Sequence, residues 1–250
     1  MTSPLRRGLA SPRRLWLRLR FRLWLVQLGF ELRRRGGRLR VKAPHPVWLE
    51  KRPRIRALPL GEGDGILELE FGRDVRIERD VVLQIWARGS NRLVIGDRTN
   101  LRESTRFEVR SGTLEIGDRV EIRSLSAMTT YGHLAIGSDV IASRGVYVHC
   151  EERIEVGDDA SMGEWVTLID SDHVHDGSDV PFRDQPLVVD PIEIGTNVLV
   201  ARGSVVLRGA KLGKNSLVAA NAAVTRGDYG PGMLLAGAPA KEIRPLSGER

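Results

Sequence analysis

Residues 194–224 read IGTNVLVARGSVVLRGAKLGKNSLVAANAAV, and an aliphatic residue recurs at every sixth position of this stretch. These aliphatic positions are Ile194, Val200, Val206, Leu212, Val218 and Val224. A second set, offset by four residues, is nearly all small: Val198, Ser204, Ala210, Ser216 and Ala222. Neither the helical period nor the two-residue strand period produces this spacing. Each hexad therefore indicates one short strand and one turn, with the aliphatic side chain inside and the small residue at a tight corner.

The same pattern continues upstream with interruptions. Its aliphatic or aromatic positions are Phe71, Ile77, Leu83, Ile95, Leu101, Phe107, Ile116, Ile122, Met128, Ile136, Ala142, Val148, Val156, Met162 and Leu168. The phrases LVIGD, LEIGD, LAIGS, IEVGD and IEIGT open five of the sets, with glycines at positions 96, 117, 137, 157 and 195. Three hexads close a three-sided coil of about 18 residues, which is the hexapeptide β-helix. The longer gap from 157 to 195 predicts an extra loop, residues 171–190.

These patterns divide the chain into four predicted segments. Residues 1–42 form a basic amphipathic arm, 43–69 an N-terminal cap or linker, 70–226 the β-helix with its loop, and 227–250 a C-terminal cap and tail. Caps are expected because a β-helix would otherwise expose open sheet edges at both ends. The fold class is therefore all-β, with one appended arm.

The net charge of +7 hides a strong asymmetry. Residues 1–42 contain 13 Lys and Arg and one acid, Glu31, whereas residues 57–250 contain 22 bases and 30 acids. Leu17, Phe21, Leu25 and Leu28 follow a helical spacing that ends near Gly36, although the alternating arginines also fit a strand. Two roles for this arm are left open: binding to an anionic inner-leaflet surface, or capping with its arginines solvated or paired to the acidic body. Nucleic acid is not expected as a partner, because the basic residues do not extend into the body.

The root of the predicted loop, residues 170–176, reads DSDHVHD. Two histidines and three carboxylates in seven residues could form a metal site, an acid–base centre or a solvated loop. The single cysteine, Cys150, rules out an internal disulfide and fits a reducing compartment. We expect a cytoplasmic protein, peripheral on the inner membrane face if the arm binds lipid.

Residues 70–246 resemble the hexapeptide-repeat acyltransferases, particularly the galactoside, maltose and surface-glycan O-acetyltransferase branch. The resemblance rests on the hexads, on the D-x-D-H root at 170–173 and on the ending G-A-P-A-K-x-I-R at 237–244. It implies a left-handed parallel β-helix, acetyl-CoA as acyl donor, no metal, a homotrimer, and a sugar or glycan hydroxyl as acceptor in polysaccharide biosynthesis.

The resemblance also implies roles for individual residues. His173 aligns with the general base, its ring oriented by Asp170, Asp172 or Asp176, while His175 points elsewhere. The acceptor positions fall on Ser143 and Glu151, where the family commonly has Asn and Asp, and Leu199 replaces a frequent tryptophan. The positions expected to contact coenzyme A are Arg202, Ala220, Thr225, Lys241 and Arg244.

Three alternatives remain at this point. The acceptor could be the amino group of a nucleotide-linked amino sugar, which would make the chain an N-acetyltransferase. The β-helix could also be a non-catalytic assembly module, which would need neither the loop histidine nor the C-terminal motif. A zinc carbonic anhydrase of the same fold is disfavoured, because the histidine pair spaced by five residues that it would require is missing.

Overall fold

The computed structural model describes residues 12–246, with side chains described from residue 16 onward. Residues 1–11 of the predicted arm and 247–250 of the predicted tail lie outside the described residues. Helix α1, Pro12–Arg34, comes first and is followed by short strands arranged in three parallel sheets. The sheets, named faces A, B and C, form the three sides of a prism.

Successive strands along the chain pass to face A, then B, then C. Face A contains Arg38–Lys42, Ile66–Phe71, Asn91–Ile95, Thr113–Ile116, His133–Ile136, Arg153–Val156, Ile192–Ile194, Ala210–Leu212 and Gly227–Tyr229. Face B contains Trp48–Leu49, Arg76–Ile77, Asn100–Leu101, Glu121–Ile122, Ile141–Ala142, Ser161–Met162, Leu199–Val200, Leu217–Val218, Met233–Gly237 and the antiparallel Ala240–Pro245. Face C contains Arg54–Leu58, Val82–Trp86, Arg106–Val109, Ala127–Thr130, Tyr147–Cys150, Thr167–Ile169, Val205–Leu207 and Ala223–Val224.

One strand from each face makes one coil, so the eight strands of face C define eight complete coils. Coils 5 to 8 span residues 133–150, 153–169, 192–207 and 210–224. The register stacks equivalent hexad positions: Ile136 pairs with Val156, Val156 with Ile194, and Ile194 with Leu212. The aliphatic and small hexad positions of residues 194–224 are all buried. The predicted fold class, a left-handed parallel β-helix with an N-terminal helical arm, is confirmed.

The turns between faces repeat one backbone conformation. The BC corner of coils 2 to 8, where face B passes into face C, has a residue of positive φ: Asp80, Ser104, Leu125, Gly145, Trp165, Gly203 and Asn221. Glycine, asparagine and aspartate tolerate this left-handed conformation best, and bulky side chains rarely adopt it. Leu125 and Trp165 are therefore exceptions among these corners.

The β-helix begins earlier and ends later than the sequence predicted. Arg38–Lys42 pairs with Ile66–Phe71, so residues 38–58 form a first coil in the range expected to be arm and cap or linker. Gly227–Tyr229 and Met233–Gly237 continue faces A and B beyond residue 226. Coil 1 keeps the six-residue spacing at Leu49 and Ile55, which pair with the hexad positions Ile77 and Leu83. At the other end the spacing shortens to five residues between Val224 and Tyr229, and backbone pairing with coil 8 defines the last turn.

Helix α1 covers the open end of coil 1. Phe21, Trp24, Leu28 and Leu32 are buried, and the Phe21 ring meets Phe71 edge-on at 5.7 Å between centroids. The stripe predicted through residues 17, 21, 25 and 28 is thus rotated toward Trp24 and Leu32, leaving residues 17 and 25 half-buried. This helix supplies the cap that the exposed sheet edge requires.

Candidate functional site

An extra loop leaves the β-helix between coils 6 and 7, at the corner where face C passes into face A. Ser171–His173 pairs antiparallel with Leu187–Val189, and a single 3-10 turn, Phe182–Asp184, lies between them. The Asp190 N–H donates to the Asp170 carbonyl at 2.9 Å, which closes the loop at its root. The two short strands therefore hold the loop histidines in a defined position beside the coil.

The His173 imidazole is exposed, and one of its nitrogens faces the backbone of the loop. Its Nδ1 lies 3.4 Å from the carbonyl oxygen of Gln185. The Gln185 side chain is buried and donates through Nε2 to the Val180 carbonyl at 2.8 Å, which fixes that part of the loop. A carbonyl oxygen can only accept, so this contact favours the tautomer with hydrogen on Nδ1 and leaves the Nε2 lone pair available.

Asp170 does not orient His173. Its side chain is fully buried and accepts three backbone N–H groups, from Glu151 at 2.7 Å, Glu152 at 2.9 Å and Arg153 at 3.0 Å. These donors belong to the CA corner of coil 5, directly beside the loop root. A carboxylate that accepts several N–H groups is a strong local anchor, so Asp170 ties the loop to the preceding coil.

The other two predicted orienting residues also make contacts elsewhere. Asp172 lies 3.4 Å from His175, whose ring meets Phe182 edge-on at 5.1 Å. Asp176 accepts the Ser178 N–H at 2.9 Å, and hydrogen bonding to Ser178 lowers the pKa of its carboxyl. The observed partner of the His173 ring is thus a backbone carbonyl. Within residues 12–246, no three His, Cys, Asp or Glu side chains are grouped in a way that could hold a metal ion.

The predicted acceptor positions lie at opposite edges of face C in coil 5. Ser143 is at the BC corner, is 9% exposed, and its carbonyl accepts from Ser126 Oγ at 3.1 Å. Glu151 is at the CA corner, and its carboxylate lies 3.0 Å from His149 Nε2. The outer surface of face C therefore separates them.

That outer surface carries a cluster of aromatic and charged side chains, here called the face C cluster: Trp86, Glu108, Arg110, Tyr131, Tyr147, His149 and Glu151. The Trp86 and Tyr131 rings meet edge-on at 5.4 Å, and the Tyr147 and His149 rings stack at 6.4 Å. Arg110 contacts the Glu108 carboxylate and the Tyr131 hydroxyl. Burial, followed by the charge of Glu108, raises the pKa of Tyr147, so its hydroxyl remains a hydrogen-bond donor at neutral pH. The hexad pattern alone does not reveal this cluster, whose members the register of face C brings together.

The predicted coenzyme A positions occupy three places. Arg202 and Ala220 are exposed at the BC corners of coils 7 and 8, and Thr225 follows the last strand of face C. Lys241 and Arg244 lie on the exposed strand Ala240–Pro245. Lys241 pairs with Ala236, and Arg244 pairs with Leu234, on the neighbouring strand Met233–Gly237. A register shift between Leu234 and Leu235 places both cations opposite residues on the same side of that strand. Directly opposite residues point to the same side of a sheet, so the two cations share one surface.

One chain does not bring all these residues to one corner of the prism. His173 and Glu151 lie at the CA corner, whereas Ser143, Arg202 and Ala220 lie at the BC corner. The loop also exposes Val180, Phe182 and Leu187 at 47%, 61% and 43%. A site that uses the histidine and the BC corner together therefore needs contributions from two chains.

Trp165 is a further candidate that the sequence analysis did not identify. It occupies the BC corner of coil 6 with φ +61°, and 52% of its surface is exposed. A Cβ atom added to Gly145 would lie 2.4 Å from Trp165 Cε3, so the indole packs onto the corner of coil 5. A bulky residue in this conformation costs about 1–3 kcal/mol, and such strain is concentrated at functional sites. The signal was present in the sequence, because tryptophan interrupts a corner position that otherwise is mostly small or polar.

No protein-family profile matches the chain. It is 31% identical over 132 residues to a probable acetyltransferase of Mycobacterium tuberculosis, a match that covers 52% of this chain and 44% of the relative. The chain thus spans less than half of that relative's length.

Three solved structures resemble the fold. A hexapeptide-repeat acetyltransferase of Vibrio cholerae, complexed with acetyl-CoA, has a TM-score of 0.46 at 21% identity and covers 64% of this chain and 72% of its own. A galactoside acetyltransferase in complex with coenzyme A has 0.42 at 26%, with 46% and 56% covered. An N-acyltransferase variant from Bacillus cereus, complexed with a dTDP-linked amino sugar and coenzyme A, has 0.46 at 15%, with 71% and 83% covered.

The hexads form a three-sided parallel coil, and the 132-residue match is to a probable acetyltransferase. In its hexads and over these 132 residues, the chain is similar to the hexapeptide-repeat acetyltransferases.

Proposed function

We propose that the chain is an acetyl-CoA-dependent O-acyltransferase that modifies a sugar hydroxyl in surface-glycan biosynthesis, with His173 as general base. The observation that carries the proposal is the contact between His173 Nδ1 and the Gln185 carbonyl oxygen at 3.4 Å. A base must present an unprotonated nitrogen to the acceptor, and this contact supports that state for Nε2. The exposure of the ring leaves Nε2 accessible to a substrate.

The proposed reaction needs one proton acceptor and one oxyanion donor. Nε2 removes the hydroxyl proton while the hydroxyl oxygen bonds to the thioester carbonyl carbon. The resulting oxyanion is stabilised by a backbone N–H at the edge of the coil. When the carbon–sulfur bond breaks, the coenzyme A thiolate leaves and receives the proton from His173, which restores the neutral imidazole.

The face C cluster supports a carbohydrate acceptor. Aromatic rings offer flat apolar surfaces, while Arg110, Glu108 and Glu151 supply hydrogen-bonding groups at their edges. Binding sites for small molecules commonly combine apolar walls with a few polar groups that fix orientation. The Ser143 and Glu151 positions bound this surface at its two edges, so an oligosaccharide lying along the strand, rather than a single sugar residue, could contact both sides.

The division of the site between two corners supports a homotrimer. The exposed apolar side chains of the loop, Val180, Phe182 and Leu187, would lose contact with water in such an assembly. In this arrangement the His173 loop of one subunit meets the BC corner of its neighbour, where Ser143 and Arg202 lie. The coenzyme A positions on coils 7 and 8 would then line the same cleft.

The direct test is release of the coenzyme A thiol from acetyl-CoA in the presence of candidate acceptors. We expect acceptor-dependent release with oligosaccharides that carry free hydroxyls, and the acetylated product should lose acetate under mild alkali. Release only with nucleotide-linked amino sugars would replace the O-transfer proposal with N-transfer. No release with any sugar of the panel would favour a non-catalytic assembly module.

Lys241 and Arg244 should bind the phosphates of coenzyme A. We expect Lys241→Ala combined with Arg244→Ala to raise the KM for acetyl-CoA about 100-fold or more, since charge-assisted contacts to phosphate contribute about 1.5–3 kcal/mol each. The kcat should change little. Acetyl-pantetheine, which lacks the phosphates, is the matched substrate: its kcat/KM should be the same for the variant and the unmodified protein. An equal loss with both substrates would contradict the phosphate assignment.

Trp165 should form an apolar wall between the acceptor and donor parts of the cleft. We expect Trp165→Asn to lower kcat/KM about ten-fold while thermal stability stays equal or rises, because asparagine tolerates positive φ better than tryptophan. Leu125→Asn is the matched control, since Leu125 has φ +64° at the equivalent corner two coils earlier. It should leave kcat/KM unchanged. If Trp165→Asn had the same kcat/KM as Leu125→Asn, the strained indole would have only a structural role.

A further inference from the structure

Helix α1 has a second apolar stripe on the side that faces away from the β-helix. Trp16, Leu19, Leu23, Val26 and Phe30 are 53%, 55%, 49%, 69% and 58% exposed. Their spacing of three and four residues places all five on one side of the helix. The buried residues Phe21, Trp24, Leu28 and Leu32 occupy the opposite side, so packing against coil 1 leaves this second stripe uncovered.

Arginines border the exposed stripe along both edges. Helical spacing places Arg18, Arg22 and Arg33 along one edge and Arg20 and Arg34 along the other. The Arg20 guanidinium lies 4.7 Å from the Trp16 ring centroid, and Arg34 lies 5.6 Å from the ring of Phe30. In the helix only Glu31 carries a negative charge. Among residues 16–246, the ion pairs within 4.0 Å involve other cations, so pairing of these arginines with the acidic body is not observed.

We propose that this face of helix α1 binds the surface of an anionic membrane. An apolar stripe bordered by cations is the arrangement of a helix that lies in the plane of the bilayer interface, with its apolar side chains inserted about 5–10 Å and its cations at the lipid headgroups. Each arginine near an anionic surface contributes about 1 kcal/mol. Tryptophan also favours the boundary between headgroups and acyl chains. No helix within residues 12–246 is long and apolar enough to cross a membrane.

The charge and the apolar stripe of this surface together favour an anionic membrane over two other possible occupants, a second copy of the chain and a nucleic acid. A second copy of the same face would bring five more arginines against these five, with one glutamate per helix to offset them. Nucleic acid would bind the arginines but would leave the apolar stripe in water. An anionic bilayer satisfies both parts of the surface, because its headgroups accept the cations and its hydrocarbon accepts the stripe.

The position of the helix sets the distance between the membrane and the proposed active site. The stripe points away from coil 1, so the β-helix would extend outward from the bilayer. The His173 loop follows coil 6, five strand spacings from coil 1, which corresponds to about 24 Å at about 4.8 Å each. This inference rests on the proposed function. With the His173 loop at that separation, the acceptor must be a glycan that extends from the membrane surface, not a lipid headgroup.

The experiment is co-sedimentation of the full chain with vesicles. We expect binding to vesicles of phosphatidylglycerol and phosphatidylcholine, and at least ten-fold weaker binding to phosphatidylcholine alone or in high salt. Leu19→Gln, Leu23→Gln and Val26→Gln together should weaken binding at least ten-fold, as should Arg18→Gln, Arg22→Gln and Arg33→Gln together. The control is Arg56→Gln, Arg76→Gln and Arg98→Gln, which removes the same charge from exposed positions of the β-helix and should retain binding.

Three outcomes would overturn the proposal. They are unchanged binding after the apolar substitutions, equal loss in the β-helix control, or a change of oligomeric state caused by the apolar substitutions, which would identify a second copy as the occupant. Thermal melting of each variant shows whether the fold is preserved. Acetyl transfer to a short soluble acceptor should be unchanged in the stripe variants, so failure of membrane binding is distinguishable from failure of the proposed enzymatic activity.

Discussion

Replacing His173 with alanine should reduce kcat for acetyl transfer about 10²–10⁴-fold, the range that a positioned general base contributes. The loss follows from the geometry of the ring, because Nδ1 faces the Gln185 carbonyl oxygen and Nε2 is left to accept the acceptor proton. The KM for acetyl-CoA should change little, since the imidazole acts on the other substrate. Thiol release under saturating acetyl-CoA measures the effect.

His175→Ala is the matched control for that experiment. Both histidines lie in the same exposed loop, but His175 contacts Asp172 and Phe182 rather than the Gln185 carbonyl. Its removal should change kcat less than about three-fold, within the effect of an exposed substitution away from the reacting atoms. Equal losses in the two variants would indicate a general disturbance of the loop, and full activity of His173→Ala would refute its role as the base.

The sequence predicts most of the fold because the coil repeats. The hexads mark inward-facing positions, and the same spacing assigns every buried aliphatic residue between Ile194 and Val224. Coil 1 keeps only a short run of the same spacing, Ala43, Leu49 and Ile55, within a basic stretch that also contains prolines. It is aligned on coil 2 by backbone pairing and by contacts such as Arg40 with Glu68 at 3.0 Å and Lys51 with Asp80 at 3.1 Å. Those partners are 28 and 29 residues apart, and local periodicity does not report contacts at that separation.

The candidate site is less predictable than the fold for a related reason. The D-x-D-H motif locates the loop histidine, but the nearest partner of its ring is a backbone carbonyl, which any residue at position 185 would supply. Asp170 precedes the histidine by three residues, yet its side chain turns to the corner of coil 5 and accepts the Glu151 N–H at 2.7 Å. Closeness in sequence therefore does not identify the partner of the imidazole, because backbone N–H groups from coil 5 bind the Asp170 carboxylate instead.

That anchoring role makes Asp170→Ala the most damaging single substitution we expect for stability. Three backbone N–H groups between Glu151 and Arg153 would lose their acceptor at a partly buried corner, where the Asp170 side chain itself is fully buried. Each unsatisfied buried donor costs about 1–3 kcal/mol, so the total is about 3–5 kcal/mol after partial relaxation. At about 2–4 °C per kcal/mol for a domain of this size, the melting temperature should fall by about 6–20 °C.

Cys150 offers a second readout of the same corner. Burial, reinforced by the neighbouring Asp170 carboxylate, raises the pKa of its thiol to about 12, so alkylation of the native protein near pH 8 should be very slow. In Asp170→Ala the labelling rate should rise for two reasons: the corner of coil 5 should open more often, and loss of the carboxylate should lower the pKa of the thiol. Asp172→Ala is the matched control, since its carboxylate is exposed and makes no contact with that corner; it should leave both the melting temperature and the labelling rate unchanged. If Asp170→Ala melts within about 1 °C of the unmodified protein, the three N–H contacts do not hold the loop root, and the position of His173 must depend on the Gln185 segment alone.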